Sequence, residues 1–121
     1  MSAKRILVVD DSPTDLYFLS EILRKEGHEV IPAVSGEEAV AKAKSDRPDV
    51  VLMDVVMPGM NGFQATRQIA RGEETKHIPV IICTSKSQES DKVWGLRQGA
   101  RDYLVKPIKP ADLIEKIGAL G

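Results

Sequence analysis

The 121-residue sequence predicts an α/β domain in which five helices doubly wind a five-stranded parallel sheet of order 2-1-3-4-5. Three observations carry this prediction. Four short runs, residues 6–9, 50–53, 80–83 and the weaker 103–105, are apolar throughout and mostly rich in Val and Ile, which suits strands covered on both faces. Stretches of helical period separate them. A fifth strand-like run, residues 30–34, has polar flanks and contains Pro32, which cannot donate to a ladder and so belongs at an edge. Right-handed crossovers then make 2-1-3-4-5 the economical order.

In chain order, the first strand is Ile6-Leu7-Val8-Val9. Leu16, Leu19 and Leu23 follow at i, i+3 and i+7, with Pro13 suited to a first helical turn and Gly27 to a C-terminal cap, so the first helix is expected over 13–26. After the edge strand, Ser35 and Glu38 have the spacing of a capping box and open a short helix through Ala39, Val40 and Ala43. Gly59 and Gly62 permit a turn into a third helix marked by Phe63, Thr66, Ile69 and Ala70. Val93, Leu96 and Ala100 form the inward stripe expected of a fourth helix, weakened by Gly95. Leu113, Ile114, Ile117 and Leu120 mark the fifth.

A chain of this size hides roughly two-thirds of its surface on folding, enough for one core without metal or disulfide staples. One domain over residues 1–121 is expected, with no repeat or linker. The 17 basic and 18 acidic residues, net charge −1 and pI of about 6.1 argue against nucleic-acid binding, which usually draws on a strong positive excess. The start Met1-Ser2-Ala3-Lys4-Arg5 leads into four aliphatics, too few for a signal-peptide core or a membrane span, so a cytoplasmic monomer is expected. Cys83 cannot form an intrachain disulfide and reads as a buried small hydrophobe. His28 and His77 read as loop or strand-edge positions too far apart in the chain for a metal pair, and Met53, Met57 and Met60 as gap-fillers.

In doubly wound sheets, ligands sit outside the carboxyl ends of the strands. Asp10 and Asp11 follow the first strand, Asp54 the third, Thr84 and Ser85 the fourth, and Lys106-Pro107 the fifth. These strands are consecutive neighbours roughly 5 Å apart, so one crevice receives all of these groups. Three crowded carboxylates repel one another. Lys106 offsets one charge, and a hard divalent ion with oxygen ligands, Mg2+, offsets the rest; the absence of His or Cys there argues against zinc. Each residue alone has a plainer reading: Asp11 as a helix cap, Thr84 as a β-branched residue turning outward, Lys106 as surface charge. Their convergence favours a phosphate-and-metal site.

The combination resembles the receiver domains of two-component response regulators, of the single-domain chemotaxis kind, over the entire chain. The resemblance rests on Asp10-Asp11, on Asp54 within the run from Val51 through Met57-Pro58-Gly59 to Gly62, on Thr84, and on Lys106-Pro107 after Asp102-Tyr103-Leu104-Val105. Residues 62–68 and 91–104 further resemble regulators of type IV pilus twitching motility. The family implies a flavodoxin-like (βα)5 fold. It implies Asp54 as acceptor of a phosphoryl group from a histidine kinase, and Mg2+ held by Asp10, Asp11, Asp54 and the Val56 backbone carbonyl. Lys106 and Thr84 would contact the phosphoryl oxygens, with a cis Lys106–Pro107 bond expected. Thr84 and Tyr103 would form the switch, and a face of helix four, strand five and helix five, near Trp94 and Lys109, would bind an output protein. Such a protein is no enzyme beyond its own phosphorylation and dephosphorylation.

Two departures flank the family's route of water to the acyl phosphate: Val56, where chemotaxis relatives often carry a polar residue, and Lys86, two past Thr84. A phosphatase of the haloacid-dehalogenase type would need an acid at position 56, and a flavin binder a hydroxyl- and Gly-rich loop after strand one, where Asp10-Asp11 would repel phosphate. A phosphate sink that drains a shared kinase stays open beside a messenger.

Overall fold

The computed structural model describes residues 3–120; Met1, Ser2 and Gly121 lie outside them. The elements alternate as β1 (Arg5–Val9), α1 (Pro13–Lys25), β2 (Glu29–Ala33), α2 (Gly36–Ser45), β3 (Val50–Met53), α3 (Gly62–Arg71), β4 (Val80–Thr84), α4 (Glu89–Arg97), β5 (Asp102–Val105) and α5 (Pro110–Gly118). The strands pair in parallel in the order β2-β1-β3-β4-β5. Pro32 lies on the edge strand opposite Val8.

Alternate residues of each strand face opposite sides, and two apolar layers result. Leu7, Val9, Val51 and Met53 pack with Ala39 and Ala43 of α2 and Ala65 and Ile69 of α3. On the other side Ile6, Val8, Leu52 and Cys83 pack with Leu19 and Leu23 of α1 and Leu113 and Ile117 of α5. In register, Val9 lies beside Ala33 and Met53, and Thr84 beside Val105, which draws the residues that follow the central strands toward one end of the sheet.

Several boundaries differ from expectation. The first helix stops at Lys25, with Gly27 beyond the Glu26 cap at φ +86°, where glycine is favoured. The edge strand runs one residue earlier, from Glu29 to Ala33, and α5 ends at Gly118, leaving Leu120 to pack on the core from beyond the helix. Ser35 accepts from the Glu38 N–H at 3.1 Å, but the Glu38 carboxylate accepts from the Val34 N–H at 2.7 Å, so the expected reciprocal box does not close. His28 lies in the loop just before β2, as expected, and is buried there, its Nδ1 accepting from the Lys4 N–H at 3.0 Å.

The main correction concerns α4. Val93 and Leu96 are 41% and 51% exposed, and Ala100 is buried but lies beyond the helix, after Gly99 at φ +111°. The inward position is Gly95: a Cβ there would lie 2.9 Å from Ile82 Cδ1 and 3.2 Å from the Tyr103 ring. The helix packs through its smallest residue, which hydrophobic periodicity cannot reveal. Leu96→Ala is therefore expected to change stability by less than about 0.5 kcal/mol, against a loss of about 2–5 kcal/mol for Leu113→Ala, as urea unfolding would show.

Candidate functional site

Each site residue owes its place to the end of a strand. Asp10 leaves β1 almost wholly buried, at 1% exposure, with Oδ1 accepting from the Ser12 N–H at 2.9 Å. Asp11, next in the chain, is exposed. Asp54 leaves β3 with its N–H donating to the Val9 carbonyl at 3.0 Å and its side chain buried. One carboxylate oxygen from each of Asp10, Asp11 and Asp54 lies within 4.8 Å of the others. This all-oxygen donor set suits a hard divalent cation such as Mg2+.

Thr84 ends β4 fully buried; its hydroxyl accepts from the Lys86 N–H at 3.4 Å and helps to keep the Asp54 carboxyl ionised. Lys106 follows β5, its N–H donating to the Thr84 carbonyl at 2.8 Å, and the Lys106–Pro107 peptide is cis. Its Nζ lies 2.8 Å from Asp10 Oδ2, 2.9 Å from Asp15 Oδ2 and 3.8 Å from Asp54 Oδ1.

Burial first, then the charge of Asp10, pushes the Asp54 carboxyl up to about 6, against the opposing pull of Lys106, the Val55 N–H and Thr84. Burial works against the Lys106 ammonium, yet hydrogen bonds to Asp10 and Asp15 and the charges around them hold it above the usual lysine range. Burial pushes the Cys83 thiol up to about 12, which leaves it un-ionised and inert at neutral pH.

The loop from Asp54 to α3 closes tightly over the site. Gly62 donates its N–H to the Val55 carbonyl at 2.9 Å, and Asn61 and Gln64 form a reciprocal capping box at the start of α3. Val56, in this loop, exposes its side chain. On the other flank, the Tyr103 hydroxyl donates to the Lys86 carbonyl at 2.9 Å, while Lys86 Nζ lies 4.0 Å from Asp91 Oδ1 on α4. Tyr103, partly buried, packs on the cluster of Val55, Ile82 and Ala100, as does Phe63. Trp94 and Lys109 are exposed.

All the carboxylates, the threonine and the lysine singled out in the sequence thus meet at one end of the sheet. Asp15, the second partner of Lys106, was not among them. Its position in the first turn of α1 reads as an ordinary acidic residue at a helix N-terminus. Together the groups place three carboxylates, an ammonium and a hydroxyl in one crevice, a set chemically able to hold a dication and a phosphoryl group.

The chain belongs to the response regulator receiver domain family, whose model matches residues 6–118. It is 60% identical over 116 residues to Protein PilH of Pseudomonas aeruginosa, covering 96% of each chain. Longer relatives also match, of which this chain spans 26% to 52%. Among solved structures, Vibrio cholerae chemotaxis protein CheY4 superposes with a TM-score of 0.91 at 33% identity, covering 99% of this chain and 100% of that one. The receiver domain of the sensor histidine kinase PA1611 from P. aeruginosa, with a magnesium ion in its active-site cleft, gives 0.90 at 33% identity and 98% coverage of both. The chain is accordingly a response regulator receiver of two-component signalling. Among the described residues, no helix is long and apolar enough to cross a membrane.

Proposed function

We propose that this chain is a phosphoacceptor in which Asp54 takes a phosphoryl group from a phosphohistidine of a histidine kinase. The observation that carries the reading is the meeting of Asp10, Asp11 and Asp54 within 4.8 Å, with Lys106 Nζ 3.8 Å from Asp54. In the transfer an Asp54 carboxylate oxygen bonds to phosphorus as the phosphorus–nitrogen bond breaks and the imidazole leaves. Asp10, Asp11, Asp54 and the Val56 backbone carbonyl would hold Mg2+, which when bound supplies positive charge to the phosphoryl oxygens. The magnesium in the cleft of the PA1611 receiver supports that assignment. Lys106 adds a compact charge and Thr84 a hydroxyl donor to the phosphoryl oxygens.

Phosphorylation brings roughly two negative charges to Asp54. Thr84 and Lys106 gain a new partner, and the strain passes to the 84–86 segment, whose Lys86 carbonyl holds the Tyr103 hydroxyl. Release of that hydrogen bond would let Tyr103 turn inward and remodel the face of α4, β5 and α5, where Trp94 and Lys109 are exposed. The output is protein binding by a cytoplasmic monomer with no nucleic-acid role. Likeness to PilH supports a place in twitching motility or chemotaxis-like signalling. Val56 and Lys86 flank the approach of water and set the lifetime of the acyl phosphate.

Two measurements test the division of labour. Millimolar Mg2+ is expected to raise the melting temperature, because it binds the folded form and relieves carboxylate repulsion; an unchanged curve contradicts the metal site. By calorimetry Asp10→Ala is expected to weaken Mg2+ binding more than Lys106→Ala does, whereas the lysine variant chiefly loses phosphorylation or its readout. Equal losses of metal affinity would undo the assignment.

A further inference from the structure

Lys106 divides its ammonium between two carboxylates, and only Asp10 belongs to the cluster that could hold a metal ion. The other, Asp15, stands on α1, with its side chain 44% exposed and its oxygen 2.9 Å from Nζ. Ser12 ties the two acids together: its N–H donates to Asp10 Oδ1 at 2.9 Å, and its Oγ accepts from the Asp15 N–H at 3.3 Å. The same short turn therefore sets both acceptors. Asp54, at 3.8 Å, is beyond hydrogen-bond distance of the ammonium. Asp15 and Lys106 also line one open groove of about 270 Å³, which leaves the lysine room to swing.

The Asp10 carboxylate cannot serve the ammonium and a dication equally, since two cations close together repel. A second acceptor outside the metal cluster removes that conflict. We propose that Asp15 is a positioning residue that gives the Lys106 ammonium a second carboxylate outside the metal cluster, to which it turns when a metal takes up Asp10, easing entry of the metal and competing with the phosphoryl group for the lysine. The proposal rests on Asp54 being the phosphoacceptor and on Mg2+ binding beside it.

The two halves of this role predict opposite effects from one substitution, which a structural role would not produce. In Asp15→Asn, loss of one partly exposed ion pair is expected to weaken Mg2+ binding about threefold, read by calorimetry. At saturating Mg2+ the rate of Asp54 labelling by acetyl phosphate is expected to rise about threefold, since Lys106 is freed for the phosphoryl oxygens. Asp15→Glu, which keeps a carboxylate at the position, is expected to return both readouts toward wild type. Acetyl phosphate avoids any effect of the variants on kinase docking. If both readouts of Asp15→Asn fall together, or neither moves while the wild type binds Mg2+ and is labelled, Asp15 has no such role. If the wild type itself neither binds Mg2+ nor is labelled, the phosphoacceptor reading fails and this proposal falls with it.

Discussion

Asp54→Asn is expected to fold, to lose all labelling by acetyl phosphate, and to be more stable than the wild type in metal-free buffer at neutral pH. An amide is a poor nucleophile and no other described acid has the same combination of burial, lysine and threonine around it, so no alternative acceptor takes over. The gain in stability follows from the same environment. The folded protein pushes the Asp54 carboxyl up to about 6 from 3.8, so the folded form keeps a proton that the unfolded chain releases between those values. A raised carboxyl costs stability as pH climbs through that window, and the full cost applies above about pH 6. Replacing the carboxylate by an amide removes this cost, about 1–3 kcal/mol at pH 8 and close to nothing at pH 4. Thermal melts of both proteins in chelator at the two pH values measure it. A variant less stable than the wild type at pH 8, or one labelled at the wild-type rate, contradicts the account.

Gly62→Ala is expected to damage fold and site together. A Cβ at this position would lie 1.9 Å from the Asp54 carbonyl oxygen and 2.8 Å from both the Asp54 carbonyl carbon and Val55 Cα. All three are backbone atoms, so no rotamer change relieves the contact; either α3 or the loop carrying Asp54 must move. Overpacking of this kind costs about 3 kcal/mol, well beyond the roughly 1 kcal/mol that alanine gains over glycine in a helix. Displacement of Asp54 by even a fraction of an ångström would further misalign it for in-line attack. Urea unfolding should show the loss of stability, and labelling should fall at least tenfold; a variant as stable and as readily labelled as the wild type would show that the turn does not press on the acceptor.

These two positions also show why some features were legible in the sequence and others were not. Strands covered on both faces are apolar throughout, and an edge strand tolerates Pro32, so the strand order could be read from the apolar runs together with right-handed crossovers. Asp10, Asp54, Thr84 and Lys106 stood out because each ends or follows an apolar run, where a polar side chain needs a reason. Their specific chemistry came from resemblance, since a carboxylate cluster alone does not distinguish phosphate transfer from metal binding. The face of α4 was misread because Gly95 packs by being small and leaves no apolar signal. Asp15 was invisible for a different reason: it lies five positions beyond Asp10, and only the turn around Ser12 brings both to one ammonium. The burial of His28 at its strand edge was not legible, because its acceptor is satisfied by a backbone N–H, which no side-chain pattern announces.

Incubation with acetyl phosphate and Mg2+, followed by intact-mass measurement and mapping of the hydroxylamine-labile site, tests the central claim most directly. One phosphoryl group per chain, located on Asp54 and absent when Mg2+ is chelated, is the result expected. Failure to label under conditions in which a known receiver is labelled, or a phosphoryl group on any other residue, would contradict it.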